Sequence, residues 1–179
     1  MPRHTSSKSA SSKLDDSLRF VIVIETPRGS RNKYAFNPET SRIRLSKVLP
    51  EGMSFPYDFG YLPDTKADDG DPLDFLVLNG RADLSRMRNC CAHSGCHSSY
   101  PKRGRRENRN DRIVAVAEQT VRYAGVKQLS DLEPVLLKQI EQFFINYQKV
   151  RDVEFKVLGH GGPDAALQSI RKSGLKKAA

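Results

Sequence analysis

No apolar run among the 179 residues approaches the roughly eighteen needed to cross a bilayer as a helix. That removes a helical membrane protein from consideration. The first sixteen residues are polar, rich in Ser, Lys and Arg, and lack the apolar stretch of a signal peptide. Asp15 and Asp16 argue against a transit peptide, so residues 1–16 read as a disordered tail on a cytoplasmic protein. No stretch repeats elsewhere in the chain, which excludes solenoids and propellers. Cysteine is scarce: three residues, all within Cys90-Cys91-Ala92-His93-Ser94-Gly95-Cys96-His97. Their spacing fits neither a paired C-x₂-C zinc site nor a haem C-x-x-C-H motif.

What remains suits one domain. Apolar residues make up 37% of the chain, enough for a single core. The net charge of +9 invites a nucleic-acid reading, but its distribution argues against one. Residues 79–109 hold eight Lys and Arg (81, 86, 88, 102, 103, 105, 106, 109) against Asp83 and Glu107, which is +6 of the total. No aromatic interleaving accompanies that basic run.

The most distinctive run is acidic. Asp68-Asp69-Gly70-Asp71-Pro72-Leu73-Asp74 places four carboxylates within seven residues, directly before Phe75-Leu76-Val77-Leu78. Held together, such acids repel unless a cation neutralises them, and oxygen ligands suit Mg²⁺ or Mn²⁺. Gly70 permits a tight turn and Pro72 stiffens it. A solvated acidic turn is the plainer alternative. An EF-hand loop is not, because its twelfth position falls on Gly80.

Elsewhere, Leu18 to Glu25 reads as a buried strand, Pro27-Arg28-Gly29-Ser30 as a turn, and Lys33–Phe36 and Arg42–Val48 as strands around Asn37-Pro38-Glu39. Phe75–Leu78 and Ile113–Ala117 are further strands. Ser130-Asp131-Leu132-Glu133 has the form of a capping box with Ser130 as N-cap. Leu132, Leu136, Ile140, Phe143, Phe144 and Tyr147 then recur at helical spacing. Glu154–Leu158 is a short strand, and a last helix runs from about Ala165 to Lys172. Many short strands with one strong helix predict a mainly β domain, closed as a small barrel with helices outside.

Asp-Gly-Asp-Pro-Leu-Asp before an apolar strand resembles the signature of the soluble, type I inorganic pyrophosphatases. The likeness extends through Val23-Ile24-Glu25-Thr26-Pro27, Asn32-Lys33-Tyr34 and Phe55-Pro56-Tyr57-Asp58-Phe59-Gly60-Tyr61. It resumes at Asn110-Asp111-Arg112-Ile113-Val114-Ala115-Val116 and ends near Phe143-Phe144-Ile145-Asn146-Tyr147. It implies an OB-type five-stranded closed barrel spanning residues 17–179, with pyrophosphate as substrate and Mg²⁺, or Mn²⁺, as cofactor. Asp69 and Asp74 match metal-binding aspartates, and Asp71 the residue that activates the attacking water. Glu25 matches an active-site glutamate that completes the metal site. Lys33 matches a phosphate-binding lysine. Lys47 stands where the family has a phosphate-binding arginine, which keeps the charge without the fork. Tyr147 matches a tyrosine that hydrogen-bonds phosphate, its ring packed in the helix stripe.

The chain also departs from the family. Ala35 replaces a glutamate, Phe55 and Phe59 stand where tyrosines are common, and Gln148 replaces a lysine beside Lys149. Asn110-Asp111-Arg112 replaces an Asp-x-Lys pattern, with Asn110 aligned to a metal-ligand position and Asp111 the remaining acid there. The resemblance leaves a homo-oligomer open. A catalytically impaired member and a basic OB-barrel binder of nucleic acid are the alternatives.

Residues 79–109 carry no strand alternation and no helical period. Read one base forward, codons allowed for Asn79 to Tyr100 permit Met-Asp-Glu-Pro-Thr-Phe-Pro-Gly-Cys and then x-Ile-Ala-Ala-Arg-Ile-Leu-Gly-Val-Ile. That order resembles the family's Pro-Gly turn and apolar strands. The segment therefore reads as a displaced frame, restored near Arg109. As written it is expected to pack poorly and leave two sheet edges open.

Overall fold

Strand and helix placement follows the burial that each residue pattern demands. The computed structural model describes residues 20–37, 39–67, 70–79, 87–88, 90–101, 108–150 and 153–174, with 87–88, 90–101, 108–110 and 154 described by backbone alone. The expected tail at 1–16 lies outside them. β1 (Val21–Thr26) alternates in burial, with Ile22, Ile24 and Thr26 buried and Val23 and Glu25 half-buried. β2 (Asn32–Asn37) and β3 (Arg42–Val48) form a hairpin of their own. Its turn is held by the Asn37 side chain, which accepts from the Glu39 N–H at 2.9 Å.

β4 (Asp58–Tyr61), β5 (Asp74–Leu78), β6 (Met87–Arg88), β7 (Cys90–Pro101), β8 (Asn108–Ala117) and β9 (Val153–Gly161) join β1 in one seven-stranded sheet, ordered β6-β1-β4-β5-β8-β7-β9. β5 and β8 run parallel, and the other ladders are antiparallel. β5 is apolar at every position from Phe75 to Leu78 because helices cover both faces of the sheet. On one face Ile22, Ile24, Phe75, Val77, Ile113 and Ala115 pack under α2 (Pro163–Lys172) through Ala166 and Ile170. On the other Phe55, Phe59, Leu76, Leu78, Val114 and Val116 pack under α1 (Pro134–Lys149) through Ile140, Phe144 and Tyr147.

Three expectations are corrected. The mainly β chain with two flanking helices is as read, but the barrel does not close. Among the described residues the sheets are open, and β6 and β9 at the ends of the large sheet do not pair with each other. Closure needs a ladder between those ends. Among the described residues β6 offers only two, and β2 and β3 form a separate two-stranded sheet. Second, the segment lacking a period is not without strands: the backbone of β7 pairs with β8 from Cys90 to Ser99 and with β9 from Ser94 to Pro101. It occupies an interior position rather than leaving edges exposed.

Third, Ser130 does not cap α1. Glu133 is the N-cap residue, Pro134 opens the helix, and a 3-10 turn at Leu129–Asp131 precedes it. The box is formed one turn earlier, where Asp131 Oδ2 accepts from the Gln128 N–H at 3.0 Å and the Lys127 N–H at 2.8 Å. Pro134 disfavours helical dihedrals at the residue before it, and Glu133 sits at ψ 133°, so the helix cannot start upstream at Ser130. No helix among the described residues is long and apolar enough to cross a membrane.

Candidate active site

Sheet register carries separated motifs into one row. Val23 on β1 lies opposite Tyr61 on β4, and Tyr61 opposite Asp74 on β5. Phe75 lies opposite Ile113 on β8, so Asp74 and Arg112 are neighbours on one face. Glu25 is the extra residue of a bulge between Ile24 and Thr26 that turns the end of β1, and it lies within electrostatic range of Asp74 and Tyr61. Glu25, Tyr61, Asp74 and Arg112 therefore line one end of the face covered by α1.

Gly60 lets the first two strands meet. A Cβ there would lie 2.1 Å from the Val23 carbonyl oxygen. Asp58 secures the preceding turn, its buried carboxylate accepting from the Arg28 N–H at 2.7 Å. Thr26 Oγ1 accepts from the Tyr34 N–H at 3.0 Å and so ties β2 to the end of β1.

The acids sense one another. Burial pushes the Glu25 carboxyl above its usual range. The Phe36 N–H, donating to Glu25 Oε1, and the Lys33 ammonium pull it down, while Asp74 and Asp71 push it up. Lys33, Asp71 and Asp74 therefore lie within electrostatic range of Glu25. Tyr61 is likewise raised, by burial first and then by Glu25 and Asp64.

Asp71 is exposed on the turn that Gly70 makes at φ 92°, and its carbonyl accepts from the Ala67 N–H at 2.7 Å. Asp69 lies outside the described residues. Asp111 is half-buried on β8, where alternation gives it the Ile113 and Ala115 face, away from Asp74.

The cations approach from the hairpin. Lys33 Nζ sits 4.8 Å over the Phe59 ring, and Lys47 lies directly opposite Lys33 across β2 and β3. Phe59 touches Phe55 (ring centroids 5.6 Å apart), and Phe55 touches Tyr147 (6.1 Å). Lys33 and Tyr147 thus border one aromatic cluster with Phe55 and Phe59. Tyr147 also stacks on Phe143 at 6.0 Å. Gln148 is buried, while Lys149 is exposed.

The inorganic pyrophosphatase family model matches residues 22–176. The chain belongs to the inorganic pyrophosphatase family. An inorganic pyrophosphatase of Nostoc sp. is 35% identical over 157 residues, covering 85% of this chain and 88% of that protein. One of Synechocystis sp. is 32% identical over 156 residues, covering 84% and 87%. The crystal structure of inorganic pyrophosphatase from Thermus thermophilus superposes with a TM-score of 0.74 at 28% identity, covering 92% of this chain and 93% of that one. The pyrophosphatase of Helicobacter pylori gives 0.76 at 25% identity.

For this pyrophosphatase-family chain the donor set fits a hard divalent cation. Glu25, Asp71 and Asp74 offer carboxylate oxygens, and their mutual repulsion is relieved by positive charge. They are neighbours by charge rather than a ready cage: among the described residues no three His, Cys, Asp or Glu side chains are gathered closely enough to hold an ion.

Two residues of the row, Tyr61 and Arg112, drew no role from sequence. Tyr61 closes a motif quoted only for resemblance, and its place between Glu25 and Asp74 depends on strand register. Arg112 entered only as part of the Asn110-Asp111-Arg112 stretch that replaces an Asp-x-Lys pattern. Its burial, at 6% exposed, comes from tertiary packing.

Proposed function

We propose that this chain hydrolyses inorganic pyrophosphate to two phosphates with a divalent cation, Mg²⁺ or Mn²⁺, as cofactor. The observation that carries the proposal is the meeting of Glu25, Asp71 and Asp74 with Lys33 in a chain of this family. Acids alone would repel a tetra-anionic substrate, and cations alone would bind it without activating water.

In this reading Asp69, Asp74 and Glu25, with Asp71 contributing, hold the cation; Asp111, the fifth acid expected there, lies on the other face of β8 and stands apart from them. When bound, it neutralises the substrate and polarises its phosphoryl oxygens. Lys33 and Lys47, paired across the hairpin, take one phosphoryl group between them. The Tyr147 hydroxyl donates to phosphate while its ring stays packed. Asp71, exposed on the turn, accepts the proton of the attacking water. The aromatic floor of Phe55, Phe59 and Phe143 limits water around the reacting centre.

A cytoplasmic location and a homo-oligomer accord with the same reading. Nothing in the comparisons favours a nucleic-acid binder or an impaired member. Phosphate release from pyrophosphate should require Mg²⁺ and cease with EDTA. Mg²⁺-loaded, folded protein that releases no phosphate would defeat the proposal.

Residues 17–179 form one catalytic domain in this reading, with 79–109 in a displaced frame. Register supports the second point. β7 sits between β8 and β9 with His93 opposite Val114 and Ser94 opposite Ile113. The frame one base forward permits Ile and Leu at those two positions, as an interior strand requires. Resequencing the gene across codons 75–112 decides it: a read that encodes Asn79 to Arg109 as written ends the frame argument.

A further inference from the structure

Arg112 is a cation in a place where cations are rarely kept. It is 6% exposed, on the interior strand β8, among the apolar residues beneath α1. Its guanidinium carbon lies 4.6 Å from the Phe144 ring centroid and 5.7 Å from that of Phe155, so aromatic rings from α1 and β9 both flank it. Its Nε is 3.7 Å from Asp74 Oδ2, within ion-pair range and beyond a hydrogen bond. A guanidinium is planar and weakly hydrated, which suits a slot beside aromatic rings; an ammonium suits it poorly. Burying such a charge is costly unless it serves a partner. Asp74 itself is partly open, its side chain 24% exposed.

The geometry points to Arg112 as a positioning residue for Asp74: the ring-held guanidinium fixes the carboxylate and, by its charge, weakens the grip of that carboxylate on a divalent cation. This rests on Asp74 being a metal ligand, as proposed above. Two effects follow that pull apart. Removing the charge strengthens cation binding, because one buried positive charge no longer opposes the incoming ion. It also slows turnover, because Asp74 is no longer held in its working orientation. Damage to the fold alone would weaken both together.

The test uses the full chain, with Mn²⁺ as probe and no pyrophosphate present. Calorimetric titration of Arg112→Gln should show Mn²⁺ bound at least about tenfold more tightly than by wild type, a lower bound, since a unit charge a few ångströms from a divalent ion at an effective dielectric of about 20 weighs more than that. Its kcat should fall with KM for pyrophosphate little changed. Arg112→Lys keeps the charge but not the planar fork. It should bind Mn²⁺ within about threefold of wild type yet lose kcat. Unchanged or weaker Mn²⁺ binding by folded Arg112→Gln overturns the inference. Should that variant not fold, undiminished kcat in Arg112→Lys overturns it equally. Wild-type protein that binds no Mn²⁺ defeats the functional reading beneath it, whereas wild-type binding with an unresponsive variant defeats this inference alone.

Discussion

Gly60 offers the sharpest mechanical test of how β1 reaches the site. Its ideal Cβ would lie 2.1 Å from Val23 O, 2.9 Å from Val23 C and 3.0 Å from Ile24 Cα, all of them backbone atoms. A carbon and a carbonyl oxygen approach no closer than about 3.3 Å. Gly60→Ala therefore demands roughly 1.2 Å of extra separation between β1 and β4. The strands cannot yield that much without stretching the ladder at Val23↔Tyr61 and Ile24↔Gly60. Overpacking costs about 1–3 kcal/mol, and two weakened ladder bonds add about 1 kcal/mol each. The total of about 3–5 kcal/mol corresponds to a fall in Tm of about 6–20 °C for a domain of this size. Differential scanning calorimetry of both proteins measures it. Gly29→Ala is the control: Gly29 has φ 81°, yet its Cβ would meet nothing within 4 Å, so only about 1–2 kcal/mol of backbone strain is expected. The reasoning is refuted if Gly60→Ala melts within about 2 °C of wild type, or if Gly29→Ala proves the worse of the two.

Asp71→Asn should lower kcat by about 10²–10⁴-fold while weakening Mn²⁺ binding far less; near-normal turnover at saturating Mg²⁺ would remove Asp71 from proton transfer. Glu25 has its proton affinity raised by burial, so its ionised form is disfavoured in the fold. Metal-free protein should thus lose stability as pH rises from the unfolded value of 4.5 towards the raised folded one. Glu25→Gln should flatten that loss in urea titrations with EDTA present, melting later than wild type at neutral pH and not at pH 4. Lys47→Arg restores a planar fork opposite Lys33 and should lower KM for pyrophosphate several-fold with kcat unchanged; an unaltered KM would place Lys47 outside the substrate contacts.

Sequence by itself determined the local elements and the chemistry to expect. The period-2 pattern of β1, the unbroken apolar run of β5 and the 3.6-residue stripe of α1 are visible because burial of one face, of both faces, or of one stripe leaves its own spacing. The acids at 68–74 could be picked out because charge of one sign, packed densely, needs an opposite partner, whereas Lys33 stood out only through its resemblance to a family motif. Tertiary structure alone decided which of these meet. Glu25 and Asp74 are joined through Tyr61 only because β4 stands between β1 and β5, and that order rests on a glycine too small to hold the strands apart. Arg112 became a buried neighbour of Asp74 because a parallel ladder set β8 beside β5 and two rings closed over it. The open sheet in place of a barrel was equally beyond sequence, since closure depends on whether distant edges find each other's hydrogen bonds. Long-range pairing leaves no period in the chain, whereas burial does.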